Sequence, residues 1–246
     1  MFKKIVFMGT SNFAVPILKT LYQNGFSIPA VYSQPAKKSK RGQKIQKSPV
    51  QIFSESLNLN IRTPETLEKN SKELEYFKTV LPEIVVVVAY GKLIPADFLN
   101  LPKYGFINIH ASLLPKWRGA APVQRAIMNL DKVTGISIMK IGEKLDAGPI
   151  MFKKEIKLNI DTTAEQALSK LSRLGSEIIL DCLDLIKLGK ANFVEQDHSI
   201  ATYAKKISNE ECKVNWENEA INIIAKINGL SPNPGAYFFF DGERYK

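Results

Sequence analysis

Residues 84–89 read Ile-Val-Val-Val-Val-Ala, an apolar run with no polar alternation. Branching at Cβ stiffens χ1 and favours extended backbone. A strand that is apolar on both sides needs cover on both faces, which is the situation of an inner strand in a parallel sheet flanked by helices. The flanking sequence supplies the partners. Ile5–Met8 is a short apolar run stopped by Gly9-Thr10-Ser11-Asn12, and a helical pattern follows through Phe13, Ile17, Leu18 and Leu21. That pattern ends at Asn24-Gly25, where glycine suits a left-handed cap. Ala30–Ser33 reads as a second strand, and Pro49–Leu57 and Glu65–Val80 read as helices. Gly105–Ile109 reads as a strand and Gly119–Leu130 as a helix. Gly135–Ile141 and Pro149–Leu158 read as strands around a loop, ahead of a long helix from Thr163 to about Leu188. Strands alternating with helices through short joins predict an open, mostly parallel α/β sheet.

Beyond Ala191 the pattern changes. Asp197–Ser208 is polar and loop-like, and Glu217–Asn228 has the spacing of an amphipathic helix. Asp241-Gly242 between Ala236–Phe240 and Glu243–Lys246 is a hairpin signal. One hairpin carrying Phe238-Phe239-Phe240 cannot stand alone in water, so a small β domain is expected to start here without being completed.

The 246 residues suffice for a full core. No apolar run approaches the roughly 20 residues that span a bilayer, and Ile5–Met8 is too short for the core of a signal peptide, so a cytoplasmic protein is expected. Only Cys182 and Cys212 are present, with two histidines and no paired cysteines, so neither a disulfide nor a metal site is expected. Charge is more telling. The net charge is +10 and the first acidic residue is Glu55. Six cations (Lys37, Lys38, Lys40, Arg41, Lys44 and Lys47) lie within eleven residues among Gly, Ser and Gln. This reads either as a mobile basic loop for a polyanion or as a solvated lysine-rich surface.

Phe106-Ile107-Asn108-Ile109-His110-Ala111-Ser112 is the segment with chemical content. Side chains on a strand alternate, so Asn108 and His110 share one face and Ile107 and Ile109 the other. Two polar groups near the C-terminal end of an inner strand mark a face that opens into a crevice, where open α/β sheets bind ligands. Taken alone, the pair could equally be a hydrogen-bonded core pair, and Asp146 in Leu145-Asp146-Ala147-Gly148 an ordinary turn aspartate. Gly9-Thr10-Ser11-Asn12 lacks the further glycines of a dinucleotide fingerprint.

Asn108-x-His110-x-Ser112-Leu113-Leu114-Pro115 followed by Asp146-x-Gly148 resembles the active site of the 10-formyltetrahydrofolate-dependent formyltransferases. Gln34-Pro35, Arg41-Gly42, Val87–Gly91 and Ser112–Gln124 are similar to the members that formylate methionyl-tRNA. The resemblance implies a Rossmann-like catalytic domain over 1–190, a linker over 191–208, and the start of an incomplete OB-like β-barrel over 209–246. It implies formyl transfer from 10-formyltetrahydrofolate to the amino group of initiator methionyl-tRNA, with no metal and a monomeric protein. Asn108 and His110 would donate to the oxyanion and Asp146 would orient the imidazole and relay a proton. Tyr90, Gly91, Lys92 and Leu93, with Ser112, Leu113, Leu114 and Pro115, would contact the folate, and Lys37, Lys38, Lys40, Arg41 and Lys44 the tRNA. The alternatives are a formyltransferase for an amino-sugar nucleotide or glycinamide ribonucleotide, a formyltetrahydrofolate hydrolase, and a non-catalytic tRNA- or folate-binding module.

Overall fold

A computed structural model of the protein describes residues 2–39 and 44–246. Its centre is a seven-stranded sheet formed by β1 (Ile5–Gly9), β2 (Ala30–Tyr32), β3 (Ile61–Arg62), β4 (Ile84–Val88), β5 (Phe106–His110), β6 (Val133–Lys140) and β7 (Ile150–Lys157). The spatial order is β7-β6-β5-β4-β1-β2-β3. The five strands from β5 to β3 run parallel, while β6 and β7 form an antiparallel hairpin on the β5 edge. The run at residues 84–88 is therefore the inner strand its composition demands, paired to β1 on one side and β5 on the other.

The α-helices among the described residues are α1 (Val15–Gln23), α2 (Pro49–Ser56), α3 (Ser71–Val80), α4 (Ala96–Leu99), α5 (Pro122–Met128), α6 (Ala164–Lys187) and α7 (Ala220–Leu230). One sheet face, with Phe7, Val86, Val88, Ile107, Ile109 and Ile138, packs on α1, α5 and α6. The other, with Val6, Met8, Tyr32, Val85, Val87 and Phe106, packs on α3 and α4, where the Phe77 ring lies 5.3 Å from Phe98 and 6.1 Å from Phe106. Phe106 is the last apolar residue of β5 on this second face. Asn108 and His110 come next on it, past the helical cover.

Local chemistry sets several boundaries. Helix α6 starts at a capping box in which Thr163 and Gln166 satisfy each other's backbone N–H. Helix α3 begins at Ser71, not at Glu65 as the pattern predicts, because Asn70 Oδ1 accepts from Glu73 N and caps it there. Helix α5 begins at Pro122 rather than Gly119, since Arg118–Gly119 is extended and pairs in parallel with Tyr203–Ala204.

The flanks of the basic segment are not a plain loop. Lys37–Ser39 and Lys44–Gln46 pair as two short antiparallel arms. Lys40 and Arg41 lie outside the described residues, and the side chains of Lys38 and Lys44 are not described. Phe238–Phe240 and Glu243–Tyr245 form the expected hairpin. Asp241 and Gly242 both have positive φ, 47° and 78°, as the tight turn between twisted strands requires. Helix α7 packs on α5 through Gly229, where a Cβ would lie 2.7 Å from Met128, and it leaves Ile221, Ile224 and Ile227 exposed.

Candidate active site

The C-terminal ends of β1, β2, β4 and β5 line one edge of the sheet. At β5 this edge carries Asn108 and His110, 9% and 6% exposed. The loop between β6 and β7 brings Asp146 to them, so the structure assembles all three residues in one place. Asn108 Nδ2 lies 3.5 Å from Asp146 Oδ1, and His110 Nδ1 lies 3.7 Å from Asp146 Oδ2. Both separations exceed those of strong hydrogen bonds. His110 Nε2 is 2.9 Å from Trp117 O. A carbonyl only accepts, so Nε2 carries the proton and Nδ1 is the ring atom turned to the carboxylate.

Asp146 is held from outside its loop. Gly119 N donates to its Oδ2 at 2.8 Å, and Gln196 Nε2 donates to its main-chain oxygen at 2.9 Å and to Gly148 O at 2.7 Å. Its φ of 46° is left-handed, a conformation that costs a non-glycine residue about 1–3 kcal/mol and persists only where the surroundings enforce it. Gln196 Oε1 in turn accepts from Arg118 Nε at 3.1 Å and Nη2 at 2.7 Å. Arg118 is 3% exposed, and its Nη2 also donates to His198 Nδ1 at 2.9 Å. No carboxylate hydrogen-bonds to this buried cation among the described residues.

The other predicted positions flank the trio. In the Ser112–Pro115 turn, Ser112 Oγ donates to Lys116 O at 2.6 Å, and Ser137 Oγ donates to Ser112 O at 2.7 Å. Leu114 is fully buried against Met139 and Ile150, and its N–H donates to Ser137 Oγ. Ser112 and Leu114 thus build the turn, while Leu113 and Pro115 are only partly buried. Tyr90 to Leu93 follow β4. Thr10 Oγ1 and Gln34 Nε2 both donate to Tyr90 O at 2.9 Å, and Gly91 has a φ of 72° with Gln34 against its open side. Burial pushes the Tyr90 phenol pKa up, and its hydroxyl has no partner among the described residues. Burial also lowers the Lys92 pKa, and the ammonium donates to Pro64 O and Glu65 O. Leu93 is exposed. On the basic segment, Lys37 Nζ donates to Gln34 Oε1 at 2.6 Å.

Two concavities lie beside the trio but are not lined by it. One of about 330 Å³ is walled by Leu113, Pro115, Trp117, Ile200, Lys116 and Lys132. The other, of about 600 Å³, is walled by Trp117, Arg125, Tyr203, Lys205, Lys206 and Glu211. Trp117 lines both.

Residues 3–183 match the family described as formyl transferase, and residues 206–246 match the formyl transferase C-terminal domain. Over 246 residues the chain is 59% identical to a methionyl-tRNA formyltransferase of Pelagibacter ubique, covering all of this chain and 79% of that relative. The chain belongs to the methionyl-tRNA formyltransferase family.

Two solved structures share the fold. A 4-N formyltransferase from Francisella tularensis superposes with a TM-score of 0.76 at 18% identity, covering 98% of this chain and 95% of that one. HypX from Aquifex aeolicus in complex with tetrahydrofolic acid gives 0.73 at 13% identity, covering 99% of this chain and 36% of that one.

Sequence reasoning missed Gln196, the guanidinium of Arg118, the N–H of Gly119 and the carbonyl of Trp117. The last two are backbone groups and leave no mark in residue type. Gln196 sits in the stretch expected to be a linker, and several residues of that stretch are hydrogen-bonded beside the site. Val194 and Ile150 exchange backbone hydrogen bonds at 2.8 and 2.9 Å, and Arg118 N and Ala120 N donate to Thr202 O and Ala204 O at 2.8 Å. Among the described residues no group of His, Cys, Asp and Glu could hold a metal ion, and no helix is long and apolar enough to cross a membrane.

Proposed function

We propose that the protein transfers a formyl group from 10-formyltetrahydrofolate to the amino group of methionyl-tRNA, with Asn108, His110 and Asp146 as the catalytic residues. The observation that carries this reading is the meeting of those three side chains where β5 emerges from its helical cover, in a chain 59% identical to a methionyl-tRNA formyltransferase. The amine attacks the formyl carbon, so a carbon–nitrogen bond forms and negative charge gathers on the formyl oxygen. Asn108 Nδ2 donates to that oxygen, and a ring N–H of His110 is the second donor. Preorganised donors of this kind are typically each worth about 2.7–4 kcal/mol of barrier. Asp146 accepts the proton that the amine sheds and returns it to the folate nitrogen as the old carbon–nitrogen bond breaks, so protons and bonds balance. The long contacts at Asp146 suit this part, because catalytic hydrogen bonds commonly tighten only with substrate in place.

The formyl donor lies, in this reading, between the Tyr90–Leu93 turn and the Ser112–Pro115 turn, whose backbones are already fixed by Gln34, Thr10 and Ser137. The cations of 37–44 face the phosphates of the tRNA. Residues 1–190, 191–208 and 209–246 act as catalytic domain, connecting strap and tRNA-binding part. The test is a formylation assay with charged initiator tRNA, alongside an amino-sugar nucleotide and glycinamide ribonucleotide as acceptors. Label appearing only on the tRNA supports the proposal. Transfer only to a small acceptor overturns the acceptor assignment, and no transfer to any acceptor overturns the enzyme reading.

A further inference from the structure

We propose that Gln196 is a positioning residue for Asp146, acting from the strap that follows α6. The inference rests on the catalytic reading of Asp146 given above. Each polar atom of the Gln196 amide has its full set of partners. Nε2 uses both protons on Asp146 O and Gly148 O, and Oε1 accepts twice from Arg118. The orientation is unambiguous, because a guanidinium only donates and carbonyls only accept. At 6% exposure the network is shielded from water, so each missing bond leaves a buried group unsatisfied.

The direction of control follows from the anchors. Arg118 and Gly119 pair with Tyr203 and Ala204, and Val194 is tied to Ile150. Gln196 is thereby fixed on both sides, and it grips the carbonyls of Asp146 and Gly148. Gly119, paired to the same strap, donates to Asp146 Oδ2 at 2.8 Å. The left-handed backbone at Asp146 is thus clamped at its carbonyl by Gln196 and at its carboxylate by Gly119. The buried charge of Arg118 polarises the amide and strengthens its donation.

Gln196→Glu isolates the function. It keeps shape and an acceptor for Arg118, but replaces two donors with a carboxylate set against two carbonyls. A misplacement of about 1 Å in a catalytic group costs about 10²-fold in rate, so kcat is expected to fall by about that factor while KM for the formyl donor stays within twofold. In an Asp146→Asn background the same substitution should lower kcat no further, since the effect passes through the missing carboxylate. Independently of turnover, amide exchange at Gly119 should quicken at least tenfold while Arg118 and Ala120 keep their protection. Gln196→Met, similar in volume and without the amide, gives the same readouts if the glutamate variant does not fold.

Wild-type kcat in both variants beside an inactive Asp146→Asn overturns the positioning role and leaves the Asp146 assignment standing. Full activity of Asp146→Asn overturns that assignment, and this proposal with it. An additive loss in the double variant, or unchanged exchange at Gly119, shows that Gln196 acts on something other than Asp146 and also overturns the proposal.

Discussion

Replacing Gly119 by alanine tests how closely the strap and the carboxylate are coupled. Gly119 has a φ of 118°, and a Cβ there would lie 2.8 Å from Ala204 O, a backbone atom. An L-residue in that region carries about 1–3 kcal/mol of strain. The contact with a carbonyl already paired in the strap places the cost near the top of that range, about 3 kcal/mol. With about 2.1 cal/mol/K of unfolding entropy per residue, a chain of 246 residues has about 0.5 kcal/mol/K. The expected fall in melting temperature is therefore about 6 °C. Gly189 is the control: its φ is 66°, and no atom lies within 4 Å of a Cβ built there. Alanine at that site costs about 1 kcal/mol from the left-handed backbone alone, or about 2 °C. The two variants should also separate in turnover. Gly119 N is the donor to Asp146 Oδ2, so Gly119→Ala should lose between about 10- and 100-fold in kcat, whereas Gly189→Ala should keep the wild-type value. Calorimetry and steady-state formylation on the same preparations read both numbers. Equal melting shifts and equal kcat for the two variants would refute the coupling.

Asn108→Ala and His110→Ala should each lower kcat by about 10²–10³-fold with donor affinity largely kept, as removal of one oxyanion donor does; single-turnover kinetics with a folate-binding titration check this. Arg41→Ala should weaken catalysis on tRNA and flatten its dependence on salt, since each phosphate contact contributes to that slope; kinetics at several ionic strengths decide it, and unchanged donor affinity is part of the expectation. Glu83 provides a stability test. Its hydrogen bond with Lys187, and then the backbone N–H groups of Lys3 and Lys4, hold its pKa below the ordinary carboxylate range. A depressed folded-state pKa stabilises above the unfolded value of about 4.3 and is lost as pH falls through the folded value. Glu83→Gln should therefore lower the melting temperature at neutral pH and narrow its gap from wild type as pH drops below about 4; a constant gap across that window would contradict the ion pair's contribution.

The parallel core was legible because its chemistry is local. An unbroken apolar strand and, beyond the core, an Asp-Gly turn each state their structure in a few residues. The start of α3 was less legible, because Glu65–Val80 is helical in composition throughout and only the side-chain cap at Asn70 sets where it begins. Strand β3 was not foreseen at all. Its two residues pair with β2 only because the sheet edge is already present, and nothing in Ile61-Arg62 marks them as a strand. For the site, period-two alternation exposed Asn108 and His110, while Asp146 joined them on family resemblance alone. The clamp on Asp146 could not be read, because Gln196 is distant in sequence and Gly119 acts through its backbone N–H.

The binding of residues 196–204 across the site changes where such a protein can be divided. The matches to the two formyl transferase families stop at residue 183 and resume at 206, so this stretch falls between modules although it holds Asp146 in place. A hybrid joined after residue 190 would combine a complete sheet from one parent with a foreign clamp from the other. A crossover placed at 205 or later would carry Gln196, Thr202 and Ala204 together with the loop they grip. The workable graft point is thus displaced from the last helix of the sheet domain by the length of the strap. Recombinants between relatives should keep their turnover on one side of it and lose it on the other.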